Sequence, residues 1–285
     1  MRTRQSGSIG VFDSGVGGLT VLRTLQQCLP QESFLYFGDT ARVPYGNRTP
    51  REIIQFGREI ITWMLTQGVK MVVMACNTSS ALALDEIRQE FPIPVLGLIL
   101  PGAKAAVQQG DRIGVIATPA TVQSDAYYRA ITEINPQARV WQVGCPEFVP
   151  LIEGNQIHTA KTRTIVASYL NLLIEQEINT LVYGCTHYPH LAPIIEQLLP
   201  PTVRCVDPAG ALSQAVVQEL RVLGLGRAPG RPGQCRFVVS GKPNHFARVA
   251  RQWRSDIQTV ETVNVKKAYR MAPLLTKGEL NSVDL

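Results

Sequence analysis

Two kinds of segment alternate along this chain, and few folds accommodate that order. Short apolar runs take turns with stretches of helical periodicity from near the N-terminus to about residue 223. SIGVF, SFLYFG, KMVVMAC and IPVLGLI are nearly unbroken apolar runs, as expected of parallel strands buried on both faces. Between them, GGLTVLRTLQQCL, PREIIQFGREIITWMLTQG and SSALALDEIRQEF carry apolar residues at helical spacing. Thr49 and Pro50 give the second of these an N-cap and a first helical residue. DRIGVIAT, ARVWQVG, INTLVYGC and TVRCVDP continue the strand theme, with helices expected near 124–134, 159–178, 190–199 and 209–223. This βαβα order predicts an α/β fold of parallel-type sheets flanked by helices.

The alternation also repeats itself. Ile9-Gly10-Val11 answers Ile113-Gly114-Val115, and Gly38, Val43 and Pro44 answer Gly144, Val149 and Pro150. Cys76 answers Cys185, and Pro101 answers Pro208. Shared order at a near-constant offset points to a duplicated unit and two pseudo-symmetric domains. GLGRAPGRPGQ, at 224–234, reads as a surface loop. The strand CRFVVSG and helix NHFARVARQW come next and are expected to return to the first lobe and complete its sheet. The first domain is thus placed at 1–98 plus 207–285 and the second at 99–206. Residues from about 271 read as a loose tail.

Composition narrows the setting. Hydrophobic residues make up 45% of the 285 and charged residues 18%, enough for a substantial core. No apolar run reaches membrane-spanning length, and no signal-like apolar core precedes Ile9, so a cytoplasmic location is expected. The six cysteines are scattered and read as free thiols. The net charge of +6 is concentrated: Arg221 to Arg254 carries eight Lys or Arg and no acid. It reads as a solvated basic face, with nucleic acid or an anionic partner as the alternative.

In open parallel α/β sheets, ligands bind beyond the carboxyl ends of the strands. Asp13, Asp39, Cys76, Cys185 and Asp207 all fall at such ends. Two lobes related by a two-fold would bring Cys76 and Cys185 to a ligand from opposite sides. Both cysteines precede expected helices, whose positive N-terminal dipoles favour a thiolate. Opposed thiols suit inversion of a stereocentre, with one acting as base and the other as acid. DSGVGG, at 13–18, offers glycines for close backbone approach and amides for an anion nest, but no phosphate-loop lysine. His187 and Glu153 are candidate proton carriers. Cys185, His187 and His190 in CTHYPH invite a zinc reading, but no second ligand cluster accompanies them, so no metal is expected. Cys28, Cys145, Cys205 and Cys235 read as structural. None of the seven lysines falls at a strand end, which disfavours Schiff-base chemistry and favours a cofactor-free reaction.

Together FDSGVGGLTV, YFGDTARVPYG, MACNTSSA, GVIATPATVQS, PLIEGN and YGCTHYP resemble the glutamate racemases of the aspartate/glutamate racemase superfamily. The resemblance runs in order from about residue 9 to 223. It implies a two-domain α/β fold with the site between the lobes, and cofactor-independent interconversion of L- and D-glutamate that supplies D-glutamate for peptidoglycan. It implies that Cys76 deprotonates D-glutamate and Cys185 L-glutamate. Asp13 would assist Cys76, and His187 and Glu153 would assist Cys185. Substrate contacts would come from Asp13, Ser14, Tyr45, Gly46, Asn77, Thr78, Thr118, Thr121, Thr186 and His187. PLIEGN departs slightly from the family pattern, with Asn155 where a second glycine is usual. A homodimer is the family expectation. The residues themselves leave aspartate open as the substrate, and leave a non-catalytic module using the basic 221–254 face as the contrasting reading.

Overall fold

The computed structural model describes residues 5–228, 230 and 232–271. Two sheets organise it, and every strand pairing within them is parallel. The first is built on β1 (Ser8–Asp13), β2 (Phe34–Gly38), β3 (Val69–Met74) and β4 (Val95–Gly97). Two late strands, β9 (Cys235–Val239) and β10 (Glu261–Thr262), extend its edge to give the order β10-β9-β2-β1-β3-β4. The second holds β5 (Arg112–Ala117), β6 (Arg139–Gly144), β7 (Thr180–Gly184) and β8 (Arg204–Val206) in the order β6-β5-β7-β8. The four strands β2-β1-β3-β4 therefore have the same order as β6-β5-β7-β8, as a duplicated unit requires. The return of CRFVVSG to the first sheet is also as expected, with Phe34 paired to Cys235.

Helices cover both faces of each sheet, which is why the strands read as continuous apolar runs. On β1, Ile9 and Val11 face a core shared with α1 (Leu19–Cys28), while Phe12 faces one shared with α2 (Pro50–Thr66) and α3 (Asn77–Glu90). On β5, Ile113 and Val115 face one way and Ile116 the other. The α2 start is as expected: Thr49 and Glu52 form a reciprocal capping box, with Pro50 as the first helical residue. The segment IPVLGLI is less of a strand than it reads. Its strand stops at Gly97 and α4 (Ile99–Gln109) begins, a helix that Pro101 and Gly102 conceal. Pro101 lies in the first turn, where its missing N–H costs nothing. Gly102 allows close approach to Pro208, the first residue of α10 (Pro208–Val222): a Cβ there would lie 3.0 Å from the proline ring.

The second sheet is flanked by α5 (Pro119–Gln123), α6 (Ala126–Ile134), α7 (Phe148–Glu153), α8 (Ala160–Ile174) and α9 (Ala192–Leu198). After β9 come α11 (Pro243–Ala250) and α12 (Val265–Met271). The two-residue β10 and α12 carry too little pattern to be read from sequence. The expected tail lies outside the described residues from 272 onward.

The basic stretch is not an unbroken cationic face. Arg236 pairs with Glu261 at 2.9 Å and Arg254 with Asp256 at 2.8 Å, acids that lie beyond the 221–254 window. Arg227 Nη1 donates to Ser33, and its backbone N–H to Glu32. Glu32 in turn pairs with the buried Lys70 at 2.6 Å, at the start of β3 and away from its C-terminal rim.

Candidate active site

At the C-terminal ends of β1, β3, β5, β6 and β7, the two layers enclose a cavity of about 390 Å³. That volume is near the lower end for ligand pockets, about 300–1,000 Å³, and suits an amino-acid-sized guest. Cys76 and Cys185 both line it, one just past each of the equivalent strands β3 and β7. Of the other strand-end acids, Asp13 lies just behind the wall, and Asp39 and Asp207 serve elsewhere. Asp39 is fully buried and accepts from Arg42 at 2.6 Å, from Ser240 at 2.7 Å and from the Tyr45 hydroxyl. Asp207 caps α10 by accepting from the Ala209 amide at 2.9 Å.

The DSGVGG loop differs from its sequence reading. Its amides do form a nest, but the anion in it is the loop's own carboxylate. Asp13 accepts from the Gly15 amide at 2.7 Å and is also bonded by the Gly18 amide. Only Ser14 of the loop reaches the cavity wall. Gly17 is needed for contact between layers rather than for a ligand: a Cβ there would fall 2.4 Å from His187 Nδ1 and 2.6 Å from Thr186 Oγ1.

Hydroxyls and an amide bridge the two sides. Thr186 Oγ1 donates to Asp13 at 3.3 Å, and Thr20 Oγ1 donates to the Thr186 carbonyl at 3.2 Å. Thr78 and Thr118 line the cavity 2.9 Å apart, oxygen to oxygen. Thr121 is fully buried behind them and meets the cavity only through those hydroxyls, at 3.2 and 3.0 Å. Asn77 lines the cavity at the first position of α3 and is bonded from the opposite layer by Tyr127. The Tyr45–Asn47 turn closes another wall, and a Cβ on Gly46 would lie 3.0 Å from Thr118. The Tyr45 hydroxyl is committed to Asp39, so the turn offers the cavity its backbone and ring rather than that hydroxyl.

A family model described as Asp/Glu/Hydantoin racemase matches residues 9–216. The chain belongs to the Asp/Glu/hydantoin racemase family. It is 56% identical over 284 residues to the glutamate racemase of Rippkaea orientalis (strain PCC 8801 / RF-1), covering 100% of both chains. Glutamate racemase isoform RacE1 from Bacillus anthracis has a crystal structure that matches at a TM-score of 0.87 and 34% identity, covering 90% of this chain and 97% of that one. A glutamate racemase from Francisella tularensis subsp. tularensis SCHU S4, crystallised with D-glutamate, matches at 0.86 and 34% identity, covering 92% and 99%.

Within this racemase-family cleft the two cysteines have unlike surroundings. Cys76 is the N-cap residue of α3, and the helix amides do help it, through Ser79. Burial nevertheless pushes the Cys76 thiol up to about 12, with the nearby Asp13 adding to the rise. The helix end does favour the Cys76 thiolate, as expected, but desolvation outweighs it. Cys185 leads into a 3-10 turn, Tyr188–Leu191, that runs on into α9, so a helix follows as expected but its first turn is of the tighter 3-10 kind. The neighbour of Cys185 is His187, with Nδ1 3.8 Å from Cys185 Sγ and Nε2 3.0 Å from Glu153 Oε1. Burial works against a charged His187, but its hydrogen bonds to Cys185 and Glu153 and their charges outweigh burial and raise it to about 10. Asp13 is raised by burial, against the pull of His187 and the loop amides.

His190 does not join Cys185 and His187. Its ring stacks on Trp253 with centroids 4.1 Å apart, and it borders a different cavity. Cys145, read as structural, lines the racemase cavity from the end of β6, and Val149 and Pro150 of α7 line it too. The repeat carries the signal: Gly144 answers Gly38, so Cys145 occupies the place of Asp39 at a strand end.

Proposed function

We propose that the cleft interconverts L- and D-glutamate without a cofactor, by moving the α-proton between two thiols on opposite faces of the α-carbon. One observation carries this reading: Cys76 and Cys185 line a single amino-acid-sized cavity from equivalent strand ends. The similarity to glutamate racemases over the full chain supplies the substrate. Cys185 takes the proton from L-glutamate and Cys76 that from D-glutamate, and in each direction the other thiol delivers a proton. Asp13 modulates Cys76, while His187, held by Glu153, attends Cys185. Ser14, Asn77, Thr78, Thr118, Thr186 and the Tyr45–Gly46 turn hold the amino acid, with Thr121 supporting the two threonines.

The proton held on Cys76 by burial fits the L-to-D direction, in which Cys76 is the donor. Because the enantiomers have equal free energies, kcat/KM must be the same in both directions. The asymmetry of the site can appear only in kcat and KM taken separately.

The lobes are divided at 98/99 and 206/207, so that α10, β9 and α11 belong with the first. No described helix is long and apolar enough to cross a membrane, which is compatible with work in the cytoplasm on a cytoplasmic amino acid. The D-glutamate made there would serve peptidoglycan synthesis, and the enzyme would act as a homodimer. The test is to incubate the purified protein with L-glutamate and no added cofactor, and to follow D-glutamate formation by circular dichroism. Racemisation by wild type that disappears in both Cys76→Ala and Cys185→Ala is the expected result. Full activity in either variant would overturn the two-thiol mechanism, and inversion of aspartate in preference to glutamate would overturn the substrate.

A further inference from the structure

Asn77 is 2% exposed, lines the cavity and comes directly after Cys76. Its Oδ1 accepts from the Tyr127 hydroxyl at 2.7 Å, and its Nδ2 has no partner among the described residues. Tyr127 belongs to α6, on the other layer, and is fully buried. Burial holds its phenol far above the ordinary range, so the oxygen keeps its proton. An asparagine amide can be turned over at little cost unless a neighbour distinguishes oxygen from nitrogen. The Tyr127 proton makes that distinction. In the turned amide, Nδ2 would donate to the phenol oxygen, and the phenolic proton would lose its acceptor in a dry interior.

We propose that Tyr127 is a positioning residue: its hydroxyl locks the Asn77 amide so that the N–H edge, not the carbonyl, is presented to a carboxylate of the bound amino acid. This rests on the reading of the cavity as an amino-acid racemase site. Asn77 adjoins Cys76, the thiol that must reach the α-carbon, so the carboxylate it meets is the α-carboxylate. Negative charge spreads onto that group as the α-proton leaves, and an N–H donor there strengthens in the transition state. A turned amide would set a carbonyl oxygen against the same charge. Because Tyr127 comes from the opposite layer, the lock forms only when the two layers are in register.

The experiment is a double-mutant cycle of Tyr127→Phe and Asn77→Ala, read by kcat/KM for both glutamate enantiomers. Tyr127→Phe removes one oxygen and keeps the ring. Its expected effect is a loss of about ten-fold in kcat/KM, equal for L- and D-glutamate, the size of one hydrogen bond to a charged group. In the Asn77→Ala background the same change should cost less than about two-fold, because no amide is left to orient. Read a second way, the rise in melting temperature that D-glutamate gives should shrink in Tyr127→Phe, and should be alike in Asn77→Ala and the double variant. Tyr127→Phe activity within about two-fold of wild type, or an equal fold loss in both backgrounds, would overturn the proposal. A wild-type protein that fails to racemise glutamate would instead strike the functional reading, which keeps the two failures distinct.

Discussion

Cys76 caps a 14-residue α-helix, whereas Cys185 opens onto a 3-10 turn of four residues. A buried carboxyl, Asp13, stands near the first thiol, and a His187–Glu153 pair stands against the second. The repeat makes the two strand ends equivalent, so the difference lies in the turn after each strand and in what neighbouring elements bring to it, Asp13 from the end of β1 and Glu153 from α7. Duplication provides two thiols lining one cavity, and divergence around them gives each a different set of neighbours. The dipole of α3 is opposed by desolvation, and the outcome is a protonated Cys76. Helix position alone therefore does not predict thiolate character when the thiol is buried.

This contrast between the thiols is challenged most severely by removing them. Cys76→Ala and Cys185→Ala should each lower the inversion rate by roughly 10²–10⁴-fold, the range of a positioned proton carrier, as read by circular dichroism. Next comes His187→Gln, which removes the cation from the Cys185 side and should lower kcat by about ten-fold or more. It also carries a pH signature. His187 is raised from 6.5 to about 10 in the folded protein, so its contribution to stability is full below about pH 6.5 and is lost as pH rises through about 10. The stability gap between wild type and His187→Gln, measured by urea unfolding, should close across that window. A gap that widens with rising pH would contradict the assignment.

Smaller effects refine the contrast. Asp13→Asn should move Cys76 down from about 12, because the Asp13 charge is the second cause of the rise, after burial. Alkylation of Cys76 monitored against pH by peptide mass spectrometry would show the midpoint shift. Glu153→Gln should lower the His187 value by removing a charge-assisted hydrogen bond, visible in an NMR titration of the imidazole. The mildest change is Thr121→Val, which leaves the cavity wall intact and should alter KM by only about two- to five-fold.

The fold is legible because buried parallel strands write themselves as apolar runs, and the duplication shows as matched landmarks. Cys76 and Cys185 are legible for the same reason, since strand ends and their offset can be counted. The hidden features depend on three-dimensional packing. Nothing near Asp13 reveals that its own loop amides enclose it, or that Gly17 gives room to a histidine 170 residues away in the chain. Tyr127 reads as an ordinary helix aromatic, and only the assembled layers bring its hydroxyl to Asn77. Cys145 escapes notice because its neighbours carry no helix signal, although its place in the repeat marks it. The α4 helix is masked by Pro101, which is harmless in a first turn.

Whether each thiol serves one enantiomer is decided by α-proton exchange in deuterated water. Each single variant is given L- and D-glutamate separately, and deuterium at the α-carbon is tracked by NMR. Cys76→Ala should exchange L-glutamate only and Cys185→Ala D-glutamate only, neither with inversion. Exchange of both enantiomers by either variant, at comparable rates, would contradict that division of labour.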